Sequence, residues 1–193
     1  MPPELFESSS LLQYLDAVPD YRCAQGRRYP LWIMLLMTVL GVMSGCQSYR
    51  ALEDFGIRHY QRLCEMLGLS LRRMPSDSTL RRMFHRIDFA QLTEQFNAWA
   101  QAQFAPQPGD WLSADGKSLK GTVTNEWEAF QDFVSVVSLY SHRHRLVIAQ
   151  QGYQNKQSSE IHVLQQLLEQ LGIQGVTLTL DALHCQKNGT ATG

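Results

Sequence analysis

Apolar positions follow two different rules along this chain. Up to about residue 104 they recur at helical spacing or fill whole helical turns, and beyond residue 110 they alternate or gather in short β-branched runs. The first half therefore reads as helices. LLQYLDAV follows the competent N-caps Ser8, Ser9 and Ser10 and ends at Pro19-Asp20. A polar turn, YRCAQGRRYP, leads into an apolar helix from Leu31 to about Met43, stopped by Ser44-Gly45. That helix is apolar nearly all round, which suits the centre of a small bundle. An amphipathic helix is expected from Gln47 to about His59. PSDSTLRRMFHRID comes next: after the N-cap candidates Ser76, Asp77 and Ser78, Leu80, Met83, Phe84 and Ile87 share one face. FAQLTEQFNAWAQAQF is the last helix of this half, and the prolines of APQPGD mark a linker at 105–110.

The second half reads as strand, strand, strand, helix, strand. WLSAD (111–115), FVSVVSLYS from Phe133, RLVIAQQGY (145–153) and GVTLTLDAL (175–183) are the strands, and SSEIHVLQQLLEQLG, closed by Gly172, is the helix. An antiparallel meander followed by a helical crossover makes the fourth strand parallel to an earlier one. The fold class expected is thus α+β: an all-α domain over 1–104, the linker 105–110, and a mixed α/β domain over 111–193. A chain of 193 residues with 44% hydrophobic content can build such cores and is not disordered overall. No stretch has the roughly 20 consecutive apolar residues of a membrane span. Its four cysteines form no C-x-x-C pair, which argues against a zinc ribbon and for a cytosolic compartment.

A net charge of −1 conceals a lopsided distribution. Between Tyr21 and Arg86 there are eleven Arg, no Lys and four acids, a local balance of +7. A basic block on an otherwise acidic chain is the footprint of a nucleic-acid contact, and equally of a solvated helical face. The candidates for DNA contact are Arg72, Arg73, Arg81, Arg82 and Arg86. The Arg-bearing side of PSDSTLRRMFHRID could lie in a groove as a recognition helix does. Two carboxylates are the candidates for chemistry. Asp115 is expected at the end of the first strand, before Gly116-Lys117, and Asp181 at the end of the fourth. Should those strands be parallel neighbours, both acids emerge at one edge, where they repel unless a cation lies between them. Magnesium suits such oxygen ligands. Equally, Asp115 caps the DGK turn and Asp181 the segment after it. Lys117 and Lys120 either contact phosphate beside the acids or are solvated turn residues. His142 and His144 are expected in an exposed hairpin turn, and the four tryptophans are expected to pack.

Several motifs in a fixed order carry a resemblance: LLQYLDAVPDYRCAQGRRYPL, SYRALEDF, PSDSTLRRMFHRID, ADGKSLKG, LLEQLGIQG and VTLTLDALHCQK. From about Leu11 onward the chain resembles the H-repeat-associated proteins of Rhs elements and the related insertion-sequence DDE transposases. The resemblance implies a helical domain followed by a ribonuclease-H-like core, with Asp115 and Asp181 as the first two ligands of Mg²⁺ or Mn²⁺. It implies DNA cleavage at element ends and strand transfer, in a protein associated with the cytoplasmic nucleoid and able to form homo-oligomers. The sequence departs from the pattern in one important respect. The 12 residues after Asp181 contain no Asp or Glu, so the family's third acid has no counterpart and the sheet would be incomplete. The expectation is a C-terminally truncated transposase, inactive alone; the alternatives are a non-enzymatic DNA-binding repressor and a nonfunctional remnant.

Overall fold

A computed structural model describes residues 10–119, 122, 133–154 and 156–180. Its compact units are Met1–Gln95 and Phe96–Gly193. In the first, α1 (Leu11–Asp16), α2 (Leu31–Met43), α3 (Tyr49–Leu67) and α4 (Asp77–Phe84) surround a core centred on α2. Leu31 to Leu35 and Met37 of that helix are all buried, as its unbroken apolar run requires. Leu15 of α1, Leu52 and Leu67 of α3, and Leu80 and Met83 of α4 close over it. Gly56 lets α3 approach closely, since a Cβ there would stand 2.7 Å from Met37 Sδ. Helix α3 runs past the expected end at His59 because YQRLCEML contains no breaker before Gly68. That glycine adopts the left-handed conformation, φ 60°, which ends the helix. The face expected of α4 is the one buried, with Leu80, Met83 and Ile87 inside and Phe84 half-buried.

Helix α5 (Phe89–Phe104) coincides with its sequence pattern. The boundary between the units falls within it, ahead of the expected linker at 105–110. Its second half is bound to the sheet by side chains. Phe104 packs on the sheet's core and on the ring of His144, and the Asn97 amide bonds both backbone groups of Gln150, at 2.8 and 2.9 Å.

Strands β1 (Trp111–Ser118), β2 (Val134–Ser141), β3 (Leu146–Gln154) and β4 (Thr177–Thr179) form a mixed sheet in the order β3-β2-β1-β4. The meander is antiparallel, and β4 is parallel to β1 as the crossover predicts. The crossover helix, α6 (Glu160–Leu171), is capped by Ser159, whose hydroxyl accepts from the His162 N–H, and ends at left-handed Gly172. Val163, Leu164 and Leu167 of α6 cover Leu112, Ala114, Val137 and Leu139. The architecture is thus α+β, with six α-helices and one four-stranded mixed sheet among the described residues.

One element differs from its expected extent in a way that matters. Strand β1 does not stop at Asp115; it continues through Gly116 and Lys117 to Ser118. Asp-Gly reads locally as a turn, but pairing of Asp115 with Ser138 and of Gly116 with Val137 keeps the chain extended. Glycine is needed there for another reason. A Cβ on Gly116 would collide with the carboxylate of Glu160 at the start of α6.

Candidate nucleic-acid interface and acidic site

Alternation along β1 decides where Asp115 points. Leu112 and Ala114 are buried under α6, so Trp111, Ser113, Asp115 and Lys117 lie on the opposite face. Trp111 is 57% exposed and so does not pack as expected, whereas Trp32 is buried and Trp99 lies among Phe96 and Phe104. Asp115 is exposed and takes part in no ion pair among the described residues. Two residues before it on the same face, Ser113 Oγ lies 2.5 Å from His142 Nε2 and 2.7 Å from Thr179 Oγ1. The expected turn histidine is thus exposed yet engaged, linking the β2–β3 hairpin to β1. Pairing between β1 and β4 covers Trp111–Ser113 against Thr177–Thr179, a constant offset of 66 residues. Asp181, Lys120, Trp127, His184 and Cys185 lie outside the described residues. Among the described residues no three His, Cys, Asp or Glu side chains group as a metal site would need.

The helical unit carries the positive charge. Arg72, Arg73, Arg81, Arg82 and Arg86 are all exposed, but they do not form one surface. Arg73, Arg82 and Arg86 line a cleft of about 750 Å³, together with Arg22, Arg28 and Tyr21, and no Asp or Glu lines it. Arg72 and Arg81 stand outside the cleft. Arg82 and Arg86 are four apart and share a side, while Arg81 is turned about 100° away on the helix.

Not every arginine in the cleft is available. Arg22 is held by both carboxylate oxygens of Asp20, each at 2.8 Å, and by the Tyr29 carbonyl at 2.8 Å. The Arg82 Nε donates to the Ser78 carbonyl at 3.1 Å, which leaves the outer nitrogens of its guanidinium. Arg28, Arg73 and Arg86 make no ion pair among the described residues. Burial pushes the Tyr21 phenol above its ordinary range, opposed by the charges of Arg22 and Arg86. Sequence reasoning missed Arg28; its only signal was the charged pair in QGRRYP, and charge counting does not say which segments converge.

Comparison with known proteins follows the same division. The family described as DDE_Tnp_1-associated matches residues 12–100. Two similar proteins of Escherichia coli (strain K12) are "Putative protein YbfL" at 32% identity and "H repeat-associated putative transposase YhhI" at 31%. Each match covers 94% of this chain and 47% of the relative. A third from the same organism, "H repeat-associated putative transposase YbfD", is 30% identical over 94% of this chain and 70% of its own length. The chain belongs to the H repeat-associated transposase family. It spans about half the length of YbfL and YhhI. In this member of the H repeat-associated family, the DDE_Tnp_1-associated stretch holds every arginine of the cleft, and Asp115 lies after it on the sheet. No helix among the described residues is long and apolar enough to cross a membrane.

Proposed function

We propose that the chain acts in DNA transposition as part of a DDE-type, ribonuclease-H-like transposase. In this reading its helical unit holds DNA, and Asp115 and Asp181 supply two carboxylates for Mg²⁺ or Mn²⁺. One observation carries the acidic site. β1 and β4 are parallel neighbours with an offset of 66 residues, and Asp115 and Asp181 are separated by the same interval. The donor chemistry fits a hard cation on the described side: Asp115 is exposed, and the same face carries the hydroxyls of Ser113 and Thr179.

The reaction is hydrolysis of a phosphodiester at an element end, then attack of the freed 3′-hydroxyl on a target phosphodiester. A bound divalent cation would acidify the attacking water or hydroxyl and neutralise charge developing on the phosphate. The chain's own residues have simpler tasks. Asp115 and Asp181 hold the cation. Lys117, on the face of Asp115 two residues further on, offers a positive charge to a neighbouring phosphate. The helical unit keeps the duplex engaged, in a protein associated with the nucleoid.

Calorimetric titration with Mn²⁺ tests the site without requiring activity. The unaltered chain should bind the ion, and Asp115→Asn or Asp181→Asn should weaken it by more than about tenfold with the melting temperature retained. Equal Mn²⁺ affinity in both variants and the unaltered chain would refute the carboxylate assignment.

A further inference from the structure

We infer that the arginine cleft of the helical unit is a binding site for the phosphodiester backbone of DNA, engaged irrespective of base sequence. The inference rests on the DNA-binding reading above and specifies which surface does the binding and what it contacts. It departs from the recognition-helix expectation, in which the outward side of α4 would read bases.

Three observations carry it. First, the charge is concentrated and uncompensated. Arg28, Arg73 and Arg86 have no acidic partner among the described residues, and no acid lines the cleft. Positive charge in a concave, partly apolar recess focuses the field on whatever anion enters. Second, the guanidinium groups come from three separate segments: the turn before α2, the stretch before α4, and α4 with the residues after it. A helix that reads the major groove must protrude, whereas these groups face a recess. Guanidinium forks match phosphate oxygens, and contacts of that kind fix register without reading sequence. Third, hydrogen bonds among its neighbours fix the turn that carries Arg28. Asp20 binds Arg22 through both oxygens and Arg27 at 3.6 Å, while Arg22 also donates to the Tyr29 carbonyl at 2.8 Å. The charge that Asp20 neutralises is therefore that of Arg22 and Arg27, and Arg28 is left for a ligand. The recess, about 750 Å³, is of the size that admits a small ligand or a backbone segment of comparable bulk.

The test measures binding of the full chain to short duplexes of two unrelated sequences by fluorescence anisotropy across a salt series. Arg28→Ala and Arg86→Ala should each weaken binding about tenfold on both duplexes, the worth of one charge-assisted contact. Each should also reduce the slope of log affinity against log salt by about one. Arg86→Lys should retain most of that slope, and Arg58→Ala on α3 should control for loss of charge alone. Binding that survives both cleft substitutions but is lost in Arg81→Ala would overturn the cleft in favour of the outer side of α4. A loss seen on one duplex only would overturn sequence-independent contact. Absence of any DNA binding by the unaltered chain at low salt would remove the DNA reading itself, and the cleft with it.

Discussion

Asp20 shows how one carboxylate can organise a surface made of arginines. Its two oxygens receive the Arg22 Nε and outer nitrogen at 2.8 Å each, and its Oδ1 also accepts the Arg22 backbone N–H at 3.0 Å. The side-chain hydrogen bonds from Arg22 hold the carboxyl below the usual carboxylate range, against the opposing effect of its burial. A carboxyl whose pKa is lower folded than unfolded stabilises the fold above its unfolded value, near 3.9. That contribution is lost as pH falls through the folded value. The pair is partly solvated, so its worth at neutral pH is about 1 kcal/mol or less. Asp20→Asn should therefore melt slightly lower than the unaltered chain at pH 7, and the two melting curves should converge as pH falls below about 4. A difference that stays constant down to pH 2 would show that the Asp20 charge is not what stabilises the turn. The same residue explains a gap in legibility. Pro19-Asp20 is readable as a helix stop, but nothing local says that Asp20 reaches two and seven residues ahead to its arginine partners.

Elements with strong patterns were legible and those with local turn chemistry were less so. Helices α2 and α5 have the extents their patterns predict, because one is apolar throughout and the other is bounded by Asp88 and the prolines after Phe104. Helix α3 was expected too short, since Gln61, Arg62 and Glu65 break up an apolar pattern that Leu63 and Leu67 continue into the core. β1 was expected too short because Asp115-Gly116 has a turn's composition, while cross-strand pairing, invisible locally, keeps it extended. Asn97 illustrates a further limit. On α5 it reads as an ordinary exposed amide, yet it donates to the Gln150 carbonyl and accepts from the Gln150 N–H on the outer strand of the sheet. An open edge strand is an invitation to pair with another chain, and this side chain occupies it. Asn97→Leu should leave both backbone groups unpaired at a cost of about 1–3 kcal/mol. Hydrogen exchange at Gln150 should accelerate, and light scattering should detect more self-association. Unchanged exchange at that amide would mean the edge is closed by something other than Asn97.

The positive charge and the proposed acidic site are divided along the chain, and that division has a consequence that can be measured. The arginine cleft belongs wholly to residues 21–86, within the first compact unit, while Asp115 stands on the sheet of the second. The basic stretch carries a balance of +7 in a chain whose total is −1, so the remainder must be acidic. In the proposed reading, phosphate contacts made by the first unit would release counterions and give DNA affinity its salt dependence. A divalent cation held by the proposed carboxylates of the second would contribute through a different term, set by oxygen ligands and little affected by monovalent salt at short range. Substitutions at the two sites should therefore dissociate. Arg86→Ala should weaken DNA binding about tenfold and leave Mn²⁺ affinity unchanged. Asp115→Asn should do the reverse, with DNA affinity and its salt slope both preserved. Measuring both affinities in the two single variants and the double variant closes the cycle. Additive effects within about 0.5 kcal/mol mean that the sites act independently in the absence of substrate. A Mn²⁺ affinity that falls in Arg86→Ala would instead show that DNA-contacting and acidic residues are coupled in the free protein.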